Sequence, residues 1–333
     1  MDIRTILCPT DFSDASRHAL DHAIAIAQWY SARIVVLHVH HPVGAAVQAL
    51  VGAAGGQIGD DAASLADEQR LASVMSAIES QALARLSTTL GTGLSEVEGR
   101  PSTALGTALS EVEGRKLAIE TRIVAGHAAE TIVACAASAE IDLVVIGTHG
   151  AGGLEHLVLG SVAEKVLRRA ACPVLTVPPR AQATSALPFK RILCPTDFSS
   201  PSLAGLQLAY FFAQEAGAAL TLLHVIDEPD ENALFVARPH DVHGHRTARE
   251  QHVLNYLDTL IPDSVRAWSS PRLRTACGIA YERILAVAAE EQSDLIVVGV
   301  QGRKPLDLML FGSTTNQVVR RATCPVLTVR EKA

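Results

Sequence analysis

Apolar positions along the chain follow two different periods. Short apolar runs, such as LVVIG at 143–147 and LIVVG at 295–299, are typical of strands buried on both faces. Longer segments, such as SRHALDHAIAIAQWY at 16–30, place apolar residues at helical spacing. Strands that alternate with helices predict right-handed crossovers and a mainly parallel sheet with helices on both faces. We therefore expect an α/β fold.

The whole pattern occurs twice. Residues 4–39 align without gaps with residues 190–225, and 17 of 36 positions are identical. Residues 142–177 align in the same way with residues 294–329, and 18 of 36 positions are identical. Two matches in the same order indicate an internal duplication.

The duplication predicts two domains, each a five-stranded mainly parallel sheet with helices on both faces. We expect the first at 1–180 and the second at 188–333, joined by the Pro- and Ala-rich linker 178–188. The first half is longer by 34 residues, since the offset between the copies falls from 186 to 152. Part of this excess is a repeat of residues 87–100 at 102–115, which we expect to lengthen a helix or its exit loop.

Composition excludes several classes of partner. The net charge is −7, and no run of Lys or Arg interleaves with aromatic residues, so nucleic acid and membrane surfaces are poor partners.

The six cysteines form no CxxC motif and are interpreted as buried thiols in a reducing compartment. His240, His243 and His245 are interpreted as part of a solvated loop, not as a metal site. With no leader or membrane span in the sequence, we expect a soluble cytoplasmic protein.

A glycine motif follows one strand in each half. It consists of Gly147-Thr148-His149-Gly150 with Gly160-Ser161, and of Gly299-Val300-Gln301-Gly302 with Gly312-Ser313. Glycines allow a ligand to approach the backbone closely, and a helix that begins at the serine would add free N–H groups and the positive end of its dipole. This combination suits a polyphosphate.

A purely structural interpretation of the serine remains open. Ser161 and Glu164 have the spacing of a capping box, in which the serine only starts the helix. In the second half Asn316 replaces Glu164, whereas Gly312 and Ser313 persist. This internal comparison favours a ligand role.

A second candidate segment lies where the first strand of each half turns into its first helix. It reads CPTDFS at 8–13 and again at 194–199. Asp11 and Asp197 could cap the following helix, or they could accept hydrogen bonds from the ribose hydroxyls or the adenine amine of a nucleotide. His38 and its equivalent in the second copy are expected to pack or hydrogen-bond internally.

No motif indicates covalent or acid–base catalysis. The chain lacks a Walker A sequence, G-x-G-x-x-G, HExxH and G-x-S-x-G. His149 is replaced by Gln301 in the second copy, so the two sites cannot share a proton-transfer role at this position.

The opening ILCPTDFS, the G-x-x-G-(nine residues)-G-S motif and the closing R-x-x-CPVLTV together resemble the universal stress protein family in its tandem form, over nearly the whole chain. The resemblance implies two tandem Rossmann-like domains of the adenine nucleotide alpha hydrolase-like class that bind ATP, with or without Mg²⁺. For the first site it implicates Pro9, Thr10, Asp11, Val39, Gly147, His149, Gly150, Gly160, Ser161 and Val162. For the second it implicates Pro195, Thr196, Asp197, Val225, Gly299, Gln301, Gly302, Gly312, Ser313 and Thr314.

The resemblance also implies how the halves assemble and what they do. The strands at 172–177 and 324–329 would pair within the chain as an internal pseudo-dimer, with a homodimer of whole chains left open. The leading expectation is an ATP-binding stress-response protein that acts as a nucleotide sensor or regulatory module with at most slow hydrolysis. The alternatives are a slow Mg-dependent ATPase or autophosphorylating enzyme, and a nucleotide-free interaction scaffold. Segment 41–62 is a candidate lid.

Overall fold

The computed structural model describes residues 2–40, 72–73, 76, 107–112, 115–138, 140–148, 159–179, 181, 189–226, 239–300 and 311–330. The first half contains β1 (Thr5–Thr10), α1 (Asp14–Tyr30), β2 (Arg33–His40), β3 (Thr107–Val112), β4 (Arg115–Ala125), α2 (Ala128–Ala136), β5 (Leu143–Gly147), α3 (Ser161–Arg169) and β6 (Val174–Val177). The second half contains β7 (Arg191–Pro195), α4 (Ser200–Ala216), β8 (Ala219–Ile226), α5 (Pro239–Thr259), α6 (Asp263–Arg266), β9 (Arg272–Cys277), α7 (Ala280–Glu290), β10 (Leu295–Gly299), α8 (Ser313–Arg321) and β11 (Val326–Val329). The α/β fold is confirmed.

The strands of the described residues form a single 11-stranded sheet in the order β3-β4-β2-β1-β5-β6-β11-β10-β7-β8-β9. Neighbours within each half are parallel, apart from β3, which runs antiparallel to β4. From β1 the chain moves to β2 on one side and later to β5 on the other, so the strand order reverses between β1 and β5. The same reversal occurs between β7 and β10. Ligands of open parallel sheets bind beyond the carboxyl ends of the strands at such points.

The two halves join through their last strands, as predicted. Strands β6 and β11 pair antiparallel, with Leu175 opposite Leu327. The hydroxyl of Thr176 donates to the carbonyl of Val326, and the hydroxyl of Thr328 donates to the carbonyl of Val174, both at 3.1 Å. Because this pairing is antiparallel, the carboxyl ends of the two parallel sets of strands lie at opposite edges of the sheet. The two switch points are therefore far apart and face opposite ways.

The prediction for the 15-residue copy at 102–115 was wrong. Its residues 107–112 form strand β3, which pairs with β4 from Thr107 opposite Glu120 to Val112 opposite Arg115. The segment therefore adds a sixth strand to the first half, where five were expected. The physical reason is that the outer side of β4 offers unpaired backbone groups, which the neighbouring segment TALSEV satisfies. The first copy at 87–100 and the candidate lid at 41–62 lie outside the described residues.

Other expectations are tested by the remaining elements. His240, His243 and His245 lie in helix α5 and not in a loop; Pro239 suits a helix start, and Val253 and Leu257 bury the other end of the helix. All six cysteines are free thiols, and burial raises the pKa of Cys8 and Cys194 to about 12. Within the described ranges, no cluster of three or more His, Cys, Asp or Glu is arranged to hold a metal. No described helix is both long and apolar enough to cross a bilayer.

Candidate functional site

The turn from β1 into α1 is held by side chains and not by glycine. The Thr10 hydroxyl lies 3.1 Å from the Ser16 hydroxyl and accepts the N–H of Phe12 at 3.2 Å. Phe12 has φ 64°, a left-handed conformation that a bulky residue adopts only when its surroundings enforce it. Ser13 is the N-cap, since its hydroxyl oxygen accepts the N–H of Ser16. Asp11 instead accepts the N–H and hydroxyl of Ser13, so the interpretation of this aspartate as the helix cap was wrong.

The second copy repeats most of this turn, but Ser199, the N-cap of α4, makes no side-chain capping bond. The hydroxyl of Thr196 lies 2.9 Å from that of Ser202 and accepts the N–H of Phe198 at 3.0 Å. Phe198 has φ 66°. Asp197 accepts the N–H of Ser199 at 3.0 Å and its hydroxyl at 2.5 Å. A strained turn that is kept twice presents an aspartate at the carboxyl end of the first strand in each half.

A histidine from the neighbouring strand supports each turn. Nδ1 of His38 lies 2.8 Å from the carbonyl oxygen of Thr10, and its ring centroid lies 4.3 Å from that of Phe12. Nδ1 of His224 lies 2.7 Å from the carbonyl oxygen of Thr196. The expectation that this pair of histidines hydrogen-bonds internally is confirmed.

The first glycine of each motif is required by packing. A Cβ atom added to Gly147 would lie 2.8 Å from the carbonyl oxygen of Ala15, and one added to Gly299 would lie 2.7 Å from the carbonyl carbon of Pro201. These distances are too short for any side chain. The glycines thus let the first turn of α1 or α4 contact the end of β5 or β10, which differs from the predicted role of exposing N–H groups to an anion.

The capping-box interpretation of Ser161 and Glu164 at the start of helix α3 was wrong. Gly160 is the N-cap and makes no side-chain capping bond, while Ser161 is the first helical residue and is exposed. The carboxylate of Glu164 accepts a hydrogen bond from Arg168 at 2.8 Å instead of reaching back to the N-terminus. The first turn therefore presents its N–H groups without a side-chain cap. The N–H of Gly160 donates to the carbonyl of Thr148 at 2.8 Å, which keeps this helix start beside the end of β5.

Helix α8 begins in the same way. Gly312 is its N-cap without a side-chain capping bond, and its N–H donates to the carbonyl of Val300 at 2.9 Å. The hydroxyl of Thr315 adds a contact that the first half lacks, since it donates to the carbonyl of Gly299 at 2.7 Å. Both halves thus hold an uncapped, positively polarised helix start next to the end of β5 or β10.

The structure brings most of the predicted site residues to the carboxyl edge of their own half. They are Pro9, Thr10, Asp11, Val39, Gly147, Gly160, Ser161 and Val162 in the first half, and Pro195, Thr196, Asp197, Val225, Gly299, Gly312, Ser313 and Thr314 in the second. His149, Gly150, Gln301 and Gly302 lie outside the described residues. In each half, an aspartate and a positively polarised helix start therefore lie on the two sides of one switch point.

One further glycine at the carboxyl edge of each half, outside the glycine motif, was not predicted from the sequence. Gly126 follows β4, and its N–H donates to the carbonyl of His40 at 2.9 Å. Gly278 follows β9, and its N–H donates to the carbonyl of Ile226 at 3.1 Å. The two glycines share the offset of 152 that relates the glycine motifs, so the same self-alignment could have found them.

Comparisons with known proteins agree with this architecture. The profile of the universal stress protein family matches residues 2–178 and 188–330. A universal stress protein of Mycobacterium tuberculosis is 28% identical over 221 residues, covering 65% of this chain and 70% of the relative. One from Mycolicibacterium smegmatis is 30% identical over 219 residues, covering 65% of this chain and 70% of its own length. A solved universal stress protein from Archaeoglobus fulgidus covers 99% of this chain and 98% of its own with a TM-score of 0.61 at 20% identity, which shows a shared fold. The profile matches both halves, and the chain therefore belongs to the universal stress protein family, with its domain present twice in tandem.

Proposed function

We propose that each half binds one nucleotide at its switch point and that the chain is an ATP-binding regulatory module of the stress response. The two binding units correspond to residues 1–180 and 188–333. The observation that carries the proposal is the uncapped helix start beside the end of β5 or β10, opposite an aspartate, built in the same way in both halves. Free N–H groups at a helix N-terminus bind phosphate.

A nucleotide would lie across the strand ends of each half. Its phosphates would contact the backbone N–H groups that begin at Ser161 or Ser313. Asp11 or Asp197 would accept hydrogen bonds from the ribose hydroxyls, for which a carboxylate is a strong acceptor. Val39 and Val225, near the ends of β2 and β8, are partly buried against the core and would form an apolar wall for the base.

A regulatory role is favoured over rapid turnover by the chemistry of these residues. Backbone N–H groups, valine side chains and one aspartate provide binding and orientation. Asp11 and Asp197 already accept hydrogen bonds from the serines at the N-cap positions of the following helices, which gives them a structural task. We expect phosphate release from ATP with Mg²⁺ to be no faster than in buffer. Rapid release that is lost in the variants described next would instead establish an ATPase.

Charge at the helix start provides the sharpest test. Asp and Asn both cap helices well, so Gly160→Asp and Gly160→Asn should both preserve the fold. Only aspartate adds a negative charge beside the bound phosphates, so we expect ATP affinity at the first site to be at least about tenfold weaker in G160D than in G160N. Isothermal titration in a chain that carries Gly312→Asp isolates the first site, and the reciprocal pair at position 312 isolates the second.

Two results would defeat the proposal. One is equal ATP affinity in the Asp and Asn variants at both positions. The other is the absence of any binding at millimolar ATP, together with no nucleotide released when the purified protein is denatured and analysed by mass spectrometry. A thermal melt of each variant shows whether the fold is intact.

A further inference from the structure

The two sites differ at one matched position on their outer rim. In each half, the residue five positions after Gly126 or Gly278 lies in the first turn of the following helix, with its side chain next to that glycine. A Cβ atom added to Gly126 would lie 2.9 Å from the Thr131 hydroxyl oxygen. One added to Gly278 would lie 3.0 Å from Nε and 3.5 Å from Nη2 of Arg283. The same place thus holds a hydroxyl in the first half and a guanidinium in the second.

The guanidinium of Arg283 is available to a ligand. Its residue is exposed, and among the described residues no carboxylate forms an ion pair with it. Gly278 has φ 124°, a conformation that favours glycine, so this close approach of the side chain to the backbone depends on the residue type. Neither feature is needed to complete the core.

The position corresponds to the base end of the proposed nucleotide. Strand β9 adjoins β8, and the N–H of Gly278 bonds to the residue after Val225, the proposed wall for the base. The phosphate end lies at α8, next to β10, which is three strands away in the order β10-β7-β8-β9. At about 4.8 Å per strand this is a separation of roughly 14 Å, comparable with the length of an extended nucleoside triphosphate.

The chemistry of the two side chains predicts different purines. Arginine carries only donors, and it pairs in bidentate fashion with O6 and N7 of guanine, which are both acceptors. Adenine presents an amine donor beside N7, and this amine repels one of the two N–H donors of the guanidinium. A threonine hydroxyl both donates and accepts, so it tolerates adenine.

We propose that Arg283 makes the second site selective for 6-oxopurine nucleotides such as guanine nucleotides, while Thr131 leaves the first site open to adenine nucleotides. This rests on the proposed function, since it requires a nucleotide in the second site. It deepens that function, because one chain would then respond to two different purine nucleotides through two sites that face opposite ways.

The test uses each half as the control for the other. With the first site blocked by Gly160→Asp, ATP, GTP and ITP are titrated into chains with Arg283, Arg283→Thr or Arg283→Lys. ITP shares O6 and N7 with GTP but lacks its 2-amino group. We expect GTP and ITP to bind about tenfold more tightly than ATP with Arg283 present, and this preference to disappear in R283T. R283K should also lose it, since lysine offers a point charge and no fork. The reciprocal Thr131→Arg, in a chain blocked by Gly312→Asp, should gain the preference.

Distinct outcomes separate failure of this inference from failure of the proposed function. A purine ratio that is the same in R283T as with Arg283 overturns the inference while leaving nucleotide binding intact. Equal weakening of all three nucleotides in R283T also overturns it, because it assigns Arg283 to a phosphate. If the chain without any substitution binds none of the three nucleotides, the proposed function and the inference are both wrong.

Discussion

Replacing Gly299 with alanine is expected to lower the free energy of unfolding by about 3 kcal/mol, because the new Cβ atom has no room. It would lie 2.7 Å from the carbonyl carbon of Pro201 and 2.8 Å from the backbone nitrogen of Ser202. Both atoms belong to the backbone of α4's first turn, so no side-chain rotation relieves the clash. Strand β10 is paired on both sides, with β7 and with β11, so the helix must move away. Urea unfolding followed by circular dichroism measures the loss.

The same interface supplies a matched control. Gly205 lies in α4 against Gly299, but a Cβ atom there would come no closer than 3.6 Å to its neighbours, which is ordinary van der Waals contact. The equivalent residue in the first half is Ala19, which is fully buried. Because alanine favours a helix over glycine, we expect Gly205→Ala to be neutral or to stabilise by up to about 1 kcal/mol. Equal destabilisation by both substitutions would contradict the assigned role of Gly299.

Much of the fold could be predicted because most elements occur in two aligned copies, and each copy supports the prediction made from the other. Continuous apolar strands such as Leu295–Gly299 are buried on both faces, and this pattern admits only a few arrangements. The closing CPVLTV segments lack the charged residues that would protect a free edge, which favoured their pairing. Strand β3 could not be predicted, because TALSEV has weak alternation and its pairing depends on the open side of β4. The beginning of helix α5 was assigned to a loop because its first residues have a loop-like composition, whereas the helix packs into the core farther along through Leu257.

The candidate site was located from spacing, but the reasons for individual residues were only partly right. A sequence cannot show whether a serine is the N-cap or the first helical residue, and that difference decides whether its side chain caps the helix. Ser161 proved to be the latter, and Ser13, not Asp11, caps α1. The need for glycine at position 147 comes from a contact with Ala15, which is distant in sequence. Local pattern therefore identified the place, while tertiary contacts determined the roles.

A buried histidine in the first half has no histidine at the equivalent position in the second half, and we expect it to make the fold sensitive to acid. His22 on α1 is fully buried, and its Nδ1 lies 3.0 Å from the carbonyl oxygen of His18. Nδ1 is then the protonated nitrogen of a neutral ring, and Nε2 is buried with no hydrogen-bond partner in the described structure. His18 in turn places its Nε2 2.8 Å from the carbonyl oxygen of Ala181 in the linker. The equivalent of His22 in the second half is Leu208, a core residue.

Acidification from pH 6.5 to pH 4 is therefore expected to cost the folded chain about 3 kcal/mol at His22 alone. Burial lowers the pKa of His22 from 6.5 to about 4, with a smaller opposing effect of its hydrogen bond to His18. The unfolded chain takes up this proton below pH 6.5 and the folded chain only below about pH 4, so the stability is fully present above pH 6.5 and is lost as the pH falls through this window. At roughly 1.4 kcal/mol per pKa unit, lowering the pKa from 6.5 to about 4 corresponds to about 3.5 kcal/mol in full, of which about 3 kcal/mol is lost by pH 4. His22→Leu, which copies Leu208, should reduce the slope of unfolding free energy against pH over this range, measured by urea unfolding at successive pH values.

Leu208→Phe, a core change without a titrating group, should leave the slope unchanged. If H22L lost as much stability between pH 6.5 and pH 4 as the unsubstituted chain, the acid sensitivity would lie elsewhere.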